Sequence, residues 1–81
     1  MELIDTIDLM TSADHKDRFK AEYLQTKIRH SRLNEIIVKY EAGTLDFEPD
    51  CPIDILIHQR ETMSKYLFAL EVRAEIEKID L

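Results

Sequence analysis

Every residue that breaks helices strongly lies in one short window of this chain. The single glycine is Gly43, and the two prolines are Pro49 and Pro52. Glycine and proline are the poorest residues for a helix interior. A chain that confines them to one window is therefore set up as helix, connection, helix. So few turn residues also exclude a sandwich or a barrel, which need a turn at the end of every strand. At 81 residues the chain has room for one domain. A domain of this size buries only about 60% of its unfolded surface, so a single copy has a thin core. With 44% apolar and 35% charged residues, the composition is that of a folded chain.

The spacing predicts a single all-α domain, residues 1–81. Leu3, Ile4, Ile7 and Met10 recur at helical intervals and predict a short helix over 2–10. Thr11 or Ser12 can then cap a second helix, with Thr11 and Asp14 in capping-box spacing. That helix is predicted over 13–42. Phe19, Tyr23, Thr26, His30, Leu33, Ile37 and Tyr40 form its heptad seam, and Gly43 supplies a left-handed stop. A loop over 43–51 follows, with Leu45 and Phe47 expected to fold back onto the helices. Pro52 is suited to the first position of a helix over 52–78. The short connection predicts an antiparallel hairpin, with Leu33 near Met63, His30 near Tyr66 and Thr26 near Leu70. The last helix is apolar over a wider arc than one neighbour covers, which predicts a homo-oligomeric helical bundle, dimer or higher.

Charge narrows the function classes. Residues 16–32 carry six bases against two acids, a local +4, so the remaining residues sum to −10 and the net is −6. Lys20, Lys27, Arg29 and Arg32 are candidate phosphate partners, and Tyr23, His30 and Tyr66 could close a polar pocket around a base. The alternative is a solvated flank with intrahelical pairs such as Arg18–Glu22 and Arg32–Glu35, and a Thr26/His30 layer that only fixes register. A second candidate surface is acidic: Asp46, Glu48 and Asp50 lie in a stretch from Glu41 to Asp54 without a base. The net negative charge opposes duplex nucleic acid as a partner.

Signatures of enzymes are missing. The sequence has no P-loop, no dinucleotide fingerprint, no nucleophile elbow and no zincin motif, so the expected role is binding without catalysis or cofactor. One cysteine, Cys51, excludes an internal disulfide, and no His or carboxylate set has metal-ligand spacing. The longest apolar run, residues 66–70, is far short of a membrane span, and the first ten residues lack the bases of a signal peptide. The expected location is the cytoplasm.

Four stretches carry a resemblance: RFKAEY (18–23), KYEAGTLDF (39–47), the L-x-x-Q-x-x-x-M-x-x-Y-L rhythm (56–67) and EVRAEIE (71–77). Together they resemble small phage and prophage proteins of Gram-positive gut bacteria, a group named after a protein of a crAss-like phage. That group has no settled activity, so no functional residue is carried over. The phage resemblance implies a counter-defence role. One version sequesters a small anionic ligand, such as a cyclic nucleotide immune signal. The other inhibits a host nuclease defence complex by protein–protein contact, in the manner of an anti-CRISPR, through the acidic surface. A third implication is a structural or regulatory phage protein without a ligand.

Overall fold

The computed structural model describes residues 1–81 and is all-helical. A turn of 3-10 helix, Leu3–Thr6, runs into α1, Ile7–Met10. Two long helices follow, α2 over His15–Ala42 and α3 over Ile53–Glu77. No helix is long and apolar enough to cross a membrane.

The ends of the helices are chemically explained, and some differ from the sequence expectation. Asp14, not Thr11 or Ser12, caps α2, its carboxylate accepting from the Lys16 N–H at 3.0 Å. Ser12 instead supports that cap: its hydroxyl accepts from the Asp14 N–H and donates to Asp17. Gly43 ends α2 in the left-handed region at φ 75°, as its position predicts. Pro52 stands one residue before α3 rather than inside it. Lys78 closes α3 with φ 57°, a conformation a side chain disfavours. That turn brings Ile79 back onto the helices, its N–H donating to the Ala74 carbonyl.

The core is small. Phe19 and Tyr23 of α2 pack with Leu67, Leu70, Ala74 and Ile79, while Ile37 is buried nearer the loop. Three side-chain bonds tie the long helices together: Tyr23 to Glu71, His30 to Ser64, and Asn34 to Arg60. Positions rise along α2 as they fall along α3. The register is two residues away from the expected one, His30 meeting Ser64 instead of Tyr66. Leu67, Leu70 and Ala74 therefore face α2, and Tyr66 turns outward. Phe47 also departs from expectation: it stands in solvent, 54% exposed, while Leu45 is half-buried.

The N-terminal arm, residues 1–12, packs on the opposite side of α2 from α3. Arg18, Gln25 and Arg32 hold it, whereas Tyr23, His30 and Asn34 hold α3. At 100° per residue the two sets are about 160° apart around α2. The arm accordingly contacts α2 but not α3. The result is a row of helical elements, 43 × 25 × 17 Å, with α2 in the middle.

Candidate functional site

α2 positions most of the candidate site because its basic residues fall on several sides of one rigid rod. Leu24, Ile28 and Ser31 share a side at i, i+4 and i+7 spacing, flanked by Lys27 and Arg32. The arm crosses beside them. Thr6, fully buried, accepts a hydrogen bond from the Gln25 amide at 2.8 Å and donates its own to the Leu3 carbonyl. The Arg18 guanidinium donates to the Ser12 carbonyl at 2.8 Å. At the far end of the arm the Arg32 guanidinium binds the Glu2 carboxylate.

These contacts leave an open groove of about 330 Å³ lined by Met1, Glu2, Leu24, Lys27, Ile28, Ser31 and Arg32. It is the chain's one cavity, and its volume is at the small end of ligand sites. Its floor is apolar, its rim carries two cations and a hydroxyl, and one carboxylate already sits on one of the cations. The Glu2–Arg32 pair is solvent-exposed on both sides. Exposed pairs contribute at most about 1 kcal/mol, so an incoming anion can displace Glu2.

Behind Lys27 lies a polar relay. The buried Tyr23 phenol donates to a Glu71 carboxylate oxygen and accepts from the Lys27 ammonium at 3.3 Å. Lys27 also lies 5.6 Å from the centroid of the Tyr23 ring. The hydrogen bond to Glu71, then burial, holds the Tyr23 phenol above its ordinary pKa, against an opposing effect from Lys27. The phenol therefore remains protonated and keeps Lys27 and Glu71 bridged.

The expected ligand residues are thus divided. Lys27 and Arg32 meet at the groove, and Tyr23 supports Lys27 from beneath. Lys20, half-buried, is on the same flank as Lys27 but about 10 Å further towards the N-terminus, and it does not line the groove. Arg29 points about 160° away from Lys27 and has no partner. His30 lies in the seam between α2 and α3, its Nε2 2.8 Å from the Ser64 hydroxyl, and Tyr66 is exposed on α3. No cavity forms between Tyr23, His30 and Tyr66. The half-buried Thr26 bonds back to the Glu22 carbonyl. The expected Arg18–Glu22 and Arg32–Glu35 pairs are absent too, because the arm takes both arginines and Glu35 pairs with Lys39.

Asp46, Glu48 and Asp50 are exposed on the loop and make neither an ion pair nor a side-chain hydrogen bond. No group of three His, Cys, Asp or Glu side chains is placed to hold a metal ion. The groove residues outside the expected ligand set are Met1, Glu2, Leu24, Ile28 and Ser31. Leu24 and Ile28 carry a signal, an apolar i, i+4 pair off the seam between two basic flanks. Nothing local places Glu2 on Arg32.

A family model named Sequestin matches residues 13–76. The chain belongs to the Sequestin family. No curated protein and no solved structure gives a match. The Sequestin match takes in nearly all of α2, the loop and α3, and stops short of the arm. The α2 wall of the groove therefore lies within it, while Met1 and Glu2 lie outside.

Proposed function

We propose that the protein binds and sequesters a small anionic ligand without catalysis, and that the ligand is a cyclic nucleotide immune signal. On this reading it is a phage-encoded counter-defence factor of the host cytoplasm, an antiparallel helical hairpin that works as a homo-oligomer. The observation that carries the reading is the groove, where Lys27, Ser31 and Arg32 surround an apolar floor. The name of the family is compatible with a sequestering role. Arg32 offers a planar fork to a phosphate, Lys27 a point charge, and Ser31 a hydroxyl donor. Leu24 and Ile28 present an apolar surface suited to the face of a base. Glu2 is the internal anion that the ligand replaces.

Calorimetric titration with a panel of cyclic mono- and dinucleotides tests this. Binding by the wild type is expected, with Lys27→Ala or Arg32→Ala weakening it at least about tenfold, since charge-assisted bonds contribute about 1.5–3 kcal/mol each. Arg29→Ala, on the other side of α2, is expected to change affinity less than about twofold. Absence of heat with every nucleotide would sink the reading. In that case a nuclease complex weakened by salt and by Asp46→Asn or Glu48→Gln would favour the inhibitor alternative.

A further inference from the structure

The outer face of α3 has no partner within the chain. Phe68, Val72 and Ile76 stand on it at i, i+4 and i+8 spacing, with exposures of 67%, 41% and 74%. The arm cannot cover them, because it lies beyond α2 and does not reach α3. We propose that this stripe is the contact surface for a second copy of the chain, and that the two copies pack α3 against α3. The proposal rests on the oligomeric reading above and adds to it the surface and the geometry.

Three observations select a second copy as the occupant. The first is area. A compact monomer of 9.6 kDa exposes about 5,100 Å². This chain exposes 5873 Å². The excess of about 800 Å² over the whole elongated chain is comparable to what each partner buries in an interface of standard size, and Phe68, Val72 and Ile76 supply part of it. The second is charge. The protein as a whole is at −6, yet the charges beside the stripe are Lys65 and Glu75, of opposite sign, while Glu71 and Arg73 are engaged with Tyr23 and Phe19 of α2. Two identical copies meet there without the repulsion that the acidic loop or the basic flank of α2 would impose.

The third observation is shape. An i, i+4, i+8 row is the ridge that packs between the same ridges of another helix, crossing at about 50°. The smallest of the three side chains, Val72, is in the middle, where crossing helices approach most closely. Phe68 and Ile76 lie on either side of it. With a twofold axis at Val72, Phe68 of each copy meets Ile76 of the other, the self-complementary arrangement of an isologous dimer.

Light scattering coupled to size exclusion tests the proposal with the wild type, Val72→Arg and Ile55→Arg at about 10 to 100 µM. The wild type is expected at twice the 9.6 kDa chain mass. Val72→Arg places two like charges at the crossing point and is expected at the single-chain mass, with dissociation at least about a hundredfold easier. Ile55→Arg alters another exposed apolar residue, outside the stripe, and is expected to remain dimeric. Far-UV circular dichroism, unchanged in both variants, separates lost association from lost folding. A wild type at single-chain mass over this range overturns the proposal together with the oligomeric reading. A Val72→Arg protein that stays dimeric, or an Ile55→Arg protein that dissociates as readily, overturns the surface alone. Nucleotide binding is read independently, at a groove on a different helix.

Discussion

Tyr23→Phe isolates the one polar relay that links the candidate groove to the core. The ring is retained, so no cavity opens and the change removes only the hydroxyl. Tyr23 is 7% exposed, and its phenol donates to Glu71 while accepting from Lys27. A hydrogen bond to a charged partner contributes about 1.5–3 kcal/mol. Glu71 is itself exposed and regains water when the phenol is lost, which puts the expected cost at the low end, about 1–1.5 kcal/mol. For a domain of this length that is a fall in Tm of roughly 4–12 °C.

The pH dependence supplies a second check on the same residue. The Tyr23 phenol is held above its ordinary value, chiefly by its bond to Glu71. The folded state therefore keeps a proton that the unfolded chain releases near pH 10. The stabilisation is complete below that pH and is lost as pH rises through the raised folded value. Urea unfolding of wild type and Tyr23→Phe, followed by far-UV circular dichroism from pH about 7 to about 11, measures both effects. The difference in stability between the two proteins should be constant near neutrality and shrink on the alkaline side. Equal stabilities at pH 7, or a gap that widens as pH rises, would refute the reasoning.

Two further substitutions test the core and the end of α3. Leu70→Ala removes a side chain that is 2% exposed at the centre of the cluster, and about 2.7–5 kcal/mol of stability is expected to go with it. A chain of this length has only about 4–12 kcal/mol in total, so urea titration should show a variant near the edge of folding, and a loss under about 1 kcal/mol would contradict the packing described. Lys78→Gly relieves a left-handed residue at φ 57° and is expected to raise stability by about 0.5–1 kcal/mol, after allowance for the lost lysine charge at the helix end. A lower thermal midpoint in that variant would count against the strain argument.

Part of the candidate site is legible in the amino-acid sequence. The basic stretch 16–32 contains Lys27 and Arg32, which line the groove, and Tyr23, which supports Lys27. Grouping them with His30, Arg29 and Tyr66 is not what a single copy of the chain shows. That grouping requires a seam register two residues away from the actual one, and a helix with a single functional side. Helical periodicity shows which residues share a flank, but not which flank meets α3 and which meets the arm.

The sequence by itself determined the helices and where they stop. Hydrogen bonds from each residue to the one four before it, backed by side-chain preferences, are local, so the breakers at 43–52 and the Asp14 and Gly43 ends suffice. Family membership follows from the sequence as well. Tertiary structure alone decided the register, the return of Ile79 into the core and the side of α2 that the arm occupies. Each of these rests on a few contacts between distant positions, such as Glu2 with Arg32 and Tyr23 with Glu71. A small set of polar bonds and one left-handed turn at Lys78 accompany the register that the chain adopts.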